Sequence, residues 1–313
     1  MNAGTPQSLP IVAYIAGYGR SGSTWLTRLL GQSPGVAAAG EIARSDDWIG
    51  STRLCTCGLP IAVCPFWTAV RQGLPREQGA SRFWRTMLES PLVLLFGFWW
   101  IPAGQRQRYR DHERAIMTGI AAAGSARVVV DSSKTSRLVA GRAAALQSVA
   151  GLDVRILHLV RNPQSVRASL GRGTNKELEG RAAPRRWFRR TRALLGWTTA
   201  NAFAGCLARK QPDRALRLDF EALCADPVRA LGGVADKLGL SLASVDAVLH
   251  GRQVARAEHV AEGNRMRLEP LASLQATPTP SSISDKLLGV LFCGLTCWRL
   301  GISPLGPKVP RRA

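Results

Sequence analysis

Lysine is scarce in this chain, although the chain is strongly basic. Of 313 residues, lysine occupies only positions 134, 176, 210, 237, 286 and 308, and Asp plus Glu number 21 against 42 for Lys plus Arg. The formal net charge is +21 and the pI about 11.2, carried almost wholly by arginine. Either the partner is anionic, since planar guanidinium forks grip phosphate and sulfate bidentately, or the surplus reflects coding bias. Long hydrophobic runs are also missing. The longest, Pro91–Pro102 and Leu287–Trp298, fall short of the ~18–20 apolar residues that span a bilayer. The N-terminus MNAGTPQSLP lacks the basic stretch and apolar core of a secretory signal. The expected location is cytoplasmic, with Pro91–Pro102 available to lie against a membrane surface. Seven cysteines, an odd number unevenly spread, argue against a disulfide scaffold in a chain long enough to build a core. No internal repeat is present. With 46% hydrophobic and 20% charged residues, wholly disordered and fibrous chains are excluded. The expectation is a single domain over residues 1–313, with a variable insertion or lid at about 50–115.

Leu9–Ala16 (LPIVAYIA) is a β-rich apolar run of the kind that a buried parallel strand needs. A glycine-rich turn over Gly17–Ser23 follows. Thr24–Gln32 then has helical apolar spacing, stopped by Ser33-Pro34-Gly35. A short strand-like segment leads from Gly35 to Glu41. Further strands are expected at Arg127–Asp131, Val154–Val160 and Ala215–Asp219. Helices are expected over Lys134–Val149, Asn162–Leu170, Arg192–Arg209, Pro227–Leu238 and Leu242–His250, with a mobile basic loop over Gly171–Arg192. This alternation predicts an α/β fold, a three-layer sandwich around a central, mostly parallel sheet.

The first loop, Gly17-Tyr18-Gly19-Arg20-Ser21-Gly22-Ser23-Thr24, has the spacing of the mononucleotide-binding P-loop, G-x-x-x-x-G-K-[ST], except that Ser23 stands where the lysine belongs. Backbone amides opening a helix still favour an anion. The missing lysine argues against a P-loop kinase or other enzyme acting on a nucleoside triphosphate, because that lysine meets the β- and γ-phosphates. A ligand with one phosphate and one further anionic group at its 5′ end needs less.

Arg20-Ser21-Gly22-Ser23-Thr24-Trp25-Leu26 resembles the 5′-phosphosulfate loop of sulfotransferases that use 3′-phosphoadenylyl sulfate (PAPS). His158–Ser169 (HLVRNPQSVRAS) resembles their 3′-phosphate segment, including the spacing from Arg161 to Ser169, with Asn162 in place of the usual aspartate. Val130-Asp131-Ser132-Ser133-Lys134, Leu216–Leu240 and His259–Arg267 (HVAEGNRMR) resemble further family segments, all in family order. The resemblance implies a P-loop-like fold and transfer of a sulfuryl group from PAPS to a hydroxyl acceptor: a glycan, a lipid or a small metabolite. It implies that Ser21, Gly22, Ser23, Thr24 and Trp25 form the 5′ loop, and that Arg161 and Ser169 hold the 3′-phosphate, with Gly263 and Arg267 as further candidates there. Arg20 stands where the family stabilises the sulfuryl group. Lys134, following a core strand, is assigned as cation or proton donor toward the leaving oxygen. No metal is expected.

Glu41 matches the place of a catalytic glutamate in several branches of that family. It could equally be a structural partner of Arg20 or Arg44, and Asp46, Asp47 and His112 are alternative bases. Cys55, Cys57 and Cys64 are three thiols where a structural zinc wants four ligands, and no fourth is evident nearby. Packing is therefore expected, with metal and disulfide as alternatives. Trp48, Trp67, Trp84, Trp99 and Trp100 either line an acceptor cleft or pack in a core. The basic run Arg181–Arg192 covers the nucleotide, forms a solvated face, or, in a non-enzymatic reading, binds nucleic acid or a membrane surface.

Overall fold

The structure, a computed structural model, describes residues 8–75, 80–135, 139–171, 186–271 and 282–305. Five strands build its centre: β1 (Ile11–Gly17), β2 (Val36–Gly40), β3 (Val128–Asp131), β4 (Asp153–Val160) and β5 (Ala215–Asp219). Their order is β2-β3-β1-β4-β5, and every pairing is parallel. A strand buried on both faces must be apolar at successive positions, and β1 (IVAYIAG) is. Its odd residues Ala13 and Ile15 enter one core, and its even residues Val12, Tyr14 and Ala16 enter the other, as the two-residue period of a strand requires.

Helices Ser23–Gly31, Phe220–Ala225, Pro227–Leu238 and Ala243–Leu249 cover the first face, through Trp25, Leu26, Leu29, Leu30, Leu223, Leu231, Val234 and Val245. Helices Pro65–Gln72, Ala103–Ala123, Arg142–Ser148 and Arg186–Lys210 cover the second. The predicted three layers are present. The segment expected as an insertion or lid is not detached from this frame: Cys55, Ile61, Cys64 and Trp67 share a core with Val12 and Tyr14 of β1. Trp48 and Trp67 are fully buried and meet edge to face, with ring centroids 4.8 Å apart. They are core packing rather than cleft lining. Trp99 is exposed, while Trp84 and Trp100 are partly buried.

Two expectations need revision. The helix expected from Lys134 begins instead at Arg142. Lys134 has φ +69°, outside the helical region, and Thr135 is bonded to Gly17. The basic loop Gly171–Arg192 falls largely on residues 172–185, outside the described ones, and the helix after it starts earlier than expected, at Arg186. The Leu287–Trp298 run lies in a helix, Ile283–Arg299, started by a capping box between Ser282 and Asp285. Among the described residues no helix is long and apolar enough to cross a membrane.

Candidate active site

In a parallel sheet, loops at the carboxyl ends of the strands gather on one edge, and ligands collect where the strand order reverses. Here the chain steps from β1 across to β2, returns to β3 beside β1, and then crosses to β4 on the far side. The residues just beyond the five strand ends are therefore neighbours. Arg20 follows β1, Glu41 follows β2, Lys134 follows β3, Arg161 follows β4, and Phe220 and Glu221 follow β5.

The loop after β1 depends on glycine at two points. Gly17 has φ +130° and Gly22 has φ +93°, values that side chains with a Cβ rarely adopt. A Cβ on Gly17 would overlap the Leu159 carbonyl, and one on Gly22 would overlap the Phe220 ring. Gly22 is also the N-cap of helix Ser23–Gly31, and no side chain caps that helix. Its first turn holds no acidic residue, so the opening amides stay available to an anion. Ser21 Oγ is buried and has no hydrogen-bond partner among the described residues, an arrangement that costs free energy unless a ligand or water completes it.

Arg20 has φ +68°, a strained value for a non-glycine. Its Nη2 donates to the Ser169 carbonyl at 3.3 Å. Arg161 Nη1 donates to the Arg20 carbonyl at 3.0 Å, and the Arg161 guanidinium lies 4.2 Å from the Phe220 ring centroid. The structure thus brings Arg20, Arg161 and Ser169 together, as the sequence implies. Asn162 keeps the capping acceptor that an aspartate would offer: its Oδ1 accepts from the Gln164 amide at 3.0 Å, while its Nδ2 donates to the Ser303 carbonyl. Its amide donates to Glu221, whose carboxyl is pushed up to about 7 by burial and by its hydrogen bond with Asp219.

Lys134 Nζ and Glu41 Oε1 form a direct ion pair. Glu41 is thus partnered by Lys134, a pairing its sequence position did not reveal. The lysine is the more enclosed, with side chains 11% exposed for Lys134 and 26% for Glu41. The two loops are held by shared acceptors. Asp131 Oδ1 accepts from the amides of Ser133 (2.9 Å) and Ile42 (3.4 Å), and Ser133 Oγ accepts from the Ala43 amide at 2.9 Å. Aspartate and serine in the Asp-Ser-Ser-Lys segment therefore act on position rather than on chemistry. Tyr14, fully buried on β1, donates its hydroxyl to the Lys134 carbonyl. Thr135 accepts from the Gly17 amide at 3.1 Å and donates to the Ala200 carbonyl at 2.8 Å.

Behind this pair lies a charged cluster that sequence reasoning missed. Arg142, fully buried, meets Asp131 (2.9 Å), Glu113 (2.9 Å) and Glu89. Arg85 meets Glu113 at 2.8 Å and also Asp46. Burial pushes the Glu113 carboxyl up, but Arg142 and Arg85 outweigh it and hold the group below its ordinary value. The alternative bases fall here or at the surface. Asp46 is bound to Arg85, His112 lies 3.5 Å from Asp46 with its pKa lowered by burial, and Asp47 pairs with Arg44 at 3.1 Å.

The C-terminal loop reaches the same edge. Gly263 has φ +150°, and a Cβ there would sit 3.1 Å from Thr24 Oγ1, which accepts from the Asn264 amide at 3.2 Å. Gly263 is thus beside the 5′ loop. Arg267 points elsewhere, donating to the Leu54 carbonyl at 2.7 Å, so the structure does not bring it to Arg161. Cys55, Cys57 and Cys64 gather with His259, all four donor atoms lying within 4.8 Å of one another.

The sulfotransferase domain family matches residues 11–259, and the chain belongs to that family. Its fold is similar to the sulfotransferase domain of the olefin synthase from Synechococcus PCC 7002, at 19% identity and a TM-score of 0.53, covering 94% of this chain and 97% of that one. It is also similar to the sulfotransferase domain of the curacin biosynthetic pathway, at 16% identity and a TM-score of 0.50, covering 95% and 99%. No curated protein sequence matches the chain.

Proposed function

We propose that this sulfotransferase takes its sulfuryl group from PAPS and passes it to a hydroxyl on a glycan, lipid or small metabolite. The observation that carries the reading is the convergence of Arg20, Lys134 and Arg161 beyond three neighbouring strands, with Glu41 in contact with Lys134. The residues present fit the donor. The uncapped amides of helix Ser23–Gly31 and the orphaned Ser21 hydroxyl suit the 5′-phosphate, and Arg161 with Ser169 suits the 3′-phosphate. When bound, PAPS supplies a sulfuryl group on a phosphate leaving oxygen.

The protein's own part is positioning and charge neutralisation, as in phosphoryl transfer. Arg20 offers donors to sulfuryl oxygens. Lys134 places a cation where negative charge grows on the leaving oxygen. Glu41 accepts the proton of the acceptor hydroxyl, and its contact with Lys134 orients it for that task. Leu95 and Phe96 of helix Leu92–Phe96, with Trp99 just after it, are exposed and favour peripheral contact with a lipid surface.

The test is calorimetric titration with adenosine 3′,5′-bisphosphate and with AMP. Arg161→Ala should weaken the bisphosphate by about 2–4 kcal/mol, the loss of a charge-assisted fork, and leave AMP nearly unchanged. Equal losses for both nucleotides would remove Arg161 from the 3′-phosphate and with it the argument for PAPS.

A further inference from the structure

We propose that Cys55, Cys57, Cys64 and His259 are the four ligands of a structural zinc ion. Three thiols and an imidazole are the donor set that selects zinc, and four protein donors leave no open position for catalysis. Sequence proximity supplies only the cysteines. His259 lies 195 residues beyond Cys64, and the fold brings it in.

Three of the six donor-to-donor distances are close to the edges of a tetrahedral site, and all six lie within 4.8 Å. With zinc–sulfur bonds of ~2.3 Å and zinc–nitrogen bonds of ~2.0–2.1 Å, the edges of a tetrahedral site are about 3.5–3.8 Å. Cys57 Sγ is 3.6 Å from Cys64 Sγ, Cys64 Sγ is 3.4 Å from His259 Nδ1, and Cys55 Sγ is 3.8 Å from His259 Nδ1. A disulfide between Cys57 and Cys64 needs sulfurs ~2.05 Å apart, and it would leave Cys55 and the aimed imidazole unexplained.

The surroundings hold the donors in place. The Gly58 amide donates to the Cys55 carbonyl at 3.0 Å, and the Cys55 amide to the Leu59 carbonyl at 2.8 Å, which folds the Cys-x-Cys-Gly segment into a tight turn with Gly58 at φ +88°. Cys64 is the N-cap of helix Pro65–Gln72, which fixes its place at the helix start. The His259 ring stacks on Phe66 at 4.6 Å with 6° between planes, and its carbonyl accepts from Trp67 Nε1 at 2.9 Å. These contacts orient the ring with Nδ1 toward the thiols. Three thiolates and a divalent ion leave one negative charge, and the Arg267 guanidinium, bonded to the Leu54 carbonyl, lies beside Cys55 to meet it.

Such an ion would fasten the segment around Cys55 to the loop that leans on the phosphate-binding turn. Thr56 Oγ1 donates to the Glu258 carbonyl and accepts from the Val260 amide. A few residues on, Glu262 bridges to Gly40, and Asn264 donates to Thr24. The site's existence does not depend on the identity of the sulfuryl donor.

The experiment is metal analysis of the full chain, expressed with zinc and purified without chelators. The expected result is about one zinc per chain in the wild type and in Cys206→Ser, with loss of more than about four-fifths of it in Cys64→Ser. Because Cys64→Ser can fail to fold, the wild-type protein is also exchanged into cobalt. The expected spectrum has a sulfur-to-cobalt charge-transfer band and the intense visible bands of a tetrahedral thiolate site. Wild-type protein without stoichiometric zinc, zinc retained in a folded Cys64→Ser, a cobalt spectrum lacking those bands, or a Cys57–Cys64 disulfide in the mass spectrum would each overturn the proposal.

Discussion

Lys134 and Arg142 stand on the same side of the sheet's carboxyl edge, and each is bound to carboxylates, yet their surroundings give them different uses. Arg142 is fully enclosed by Asp131, Glu89 and Glu113, which are themselves buried. No solvent or substrate reaches it. Among the described residues Lys134 has one carboxylate, Glu41, and that group is a quarter exposed. Asp131 joins the two regions, taking the Arg142 guanidinium on one oxygen and the amides of Ser133 and Ile42 on the other. A buried network of paired charges makes a rigid support. An ion pair with an open side can exchange a partner and take part in chemistry. The contrast shows why counting charges in a sequence does not locate a site: the cluster richest in carboxylates is the one that cannot react.

The sharpest way to break the contrast is to remove the buried cation. Arg142→Met should leave three buried carboxylates without their shared partner and lower stability by about 3–5 kcal/mol, read as a fall in the denaturation midpoint. A loss below about 1 kcal/mol would mean that the network supports nothing. Removing the crevice cation should have the opposite profile. Lys134→Ala should cut turnover by about 100-fold or more while changing affinity for adenosine 3′,5′-bisphosphate only slightly. Comparable losses in both would make Lys134 a binding residue alone.

Buried groups that lack an opposite charge should go neutral instead, and His158 tests this. Burial lowers its pKa from 6.5 to about 4, with Asn201 Oδ1 as its partner at 3.0 Å. The folded value is depressed, so the unfolded chain binds the extra proton. The stabilisation from the neutral ring is complete above about pH 6.5 and is lost as pH falls toward 4, by about 3 kcal/mol in all. Melting curves of the wild type and His158→Gln should therefore converge between pH 7 and pH 4, and a constant gap would contradict the assignment. The smallest effect is expected from Asp46→Asn. Asp46 is 60% exposed, so its pair with Arg85 is worth no more than about 1 kcal/mol. Turnover should stay near wild type, and a collapse of activity would make Asp46 the base.

Much of this was legible from sequence where the physics is local. Strands β1, β3 and β4 announce themselves because strands buried on both faces are apolar at successive positions, whereas the edge strand β5 is short and only partly buried. The loop from Gly17 to Thr24 is legible because only glycine suits Gly17 and Gly22. What stayed hidden depends on long-range contact. Lys134 sits in an Asp-Ser-Ser-Lys stretch ahead of a helical pattern, and nothing in the pattern tells of Tyr14 and Thr135 holding it outside the helix. Arg142 reads as an ordinary helix residue until Glu89 and Glu113 arrive from other helices. The pairing of Glu41 with Lys134 spans 93 residues, and His259 has no sequence neighbour to mark it as a partner of the cysteines.

The central claim is that the open ion pair does the chemistry, and the direct measurement is the pH–rate profile of Glu41→Gln beside that of the wild type. The shapes of the two side chains are alike, so fold and nucleotide affinity should be retained. Turnover should fall by about 10²–10⁴-fold, the range for a positioned base, and the acid limb of the profile should vanish. A variant that keeps more than about a tenth of wild-type turnover, with its acid limb in place, would contradict the claim and return Glu41 to a structural role beside Lys134.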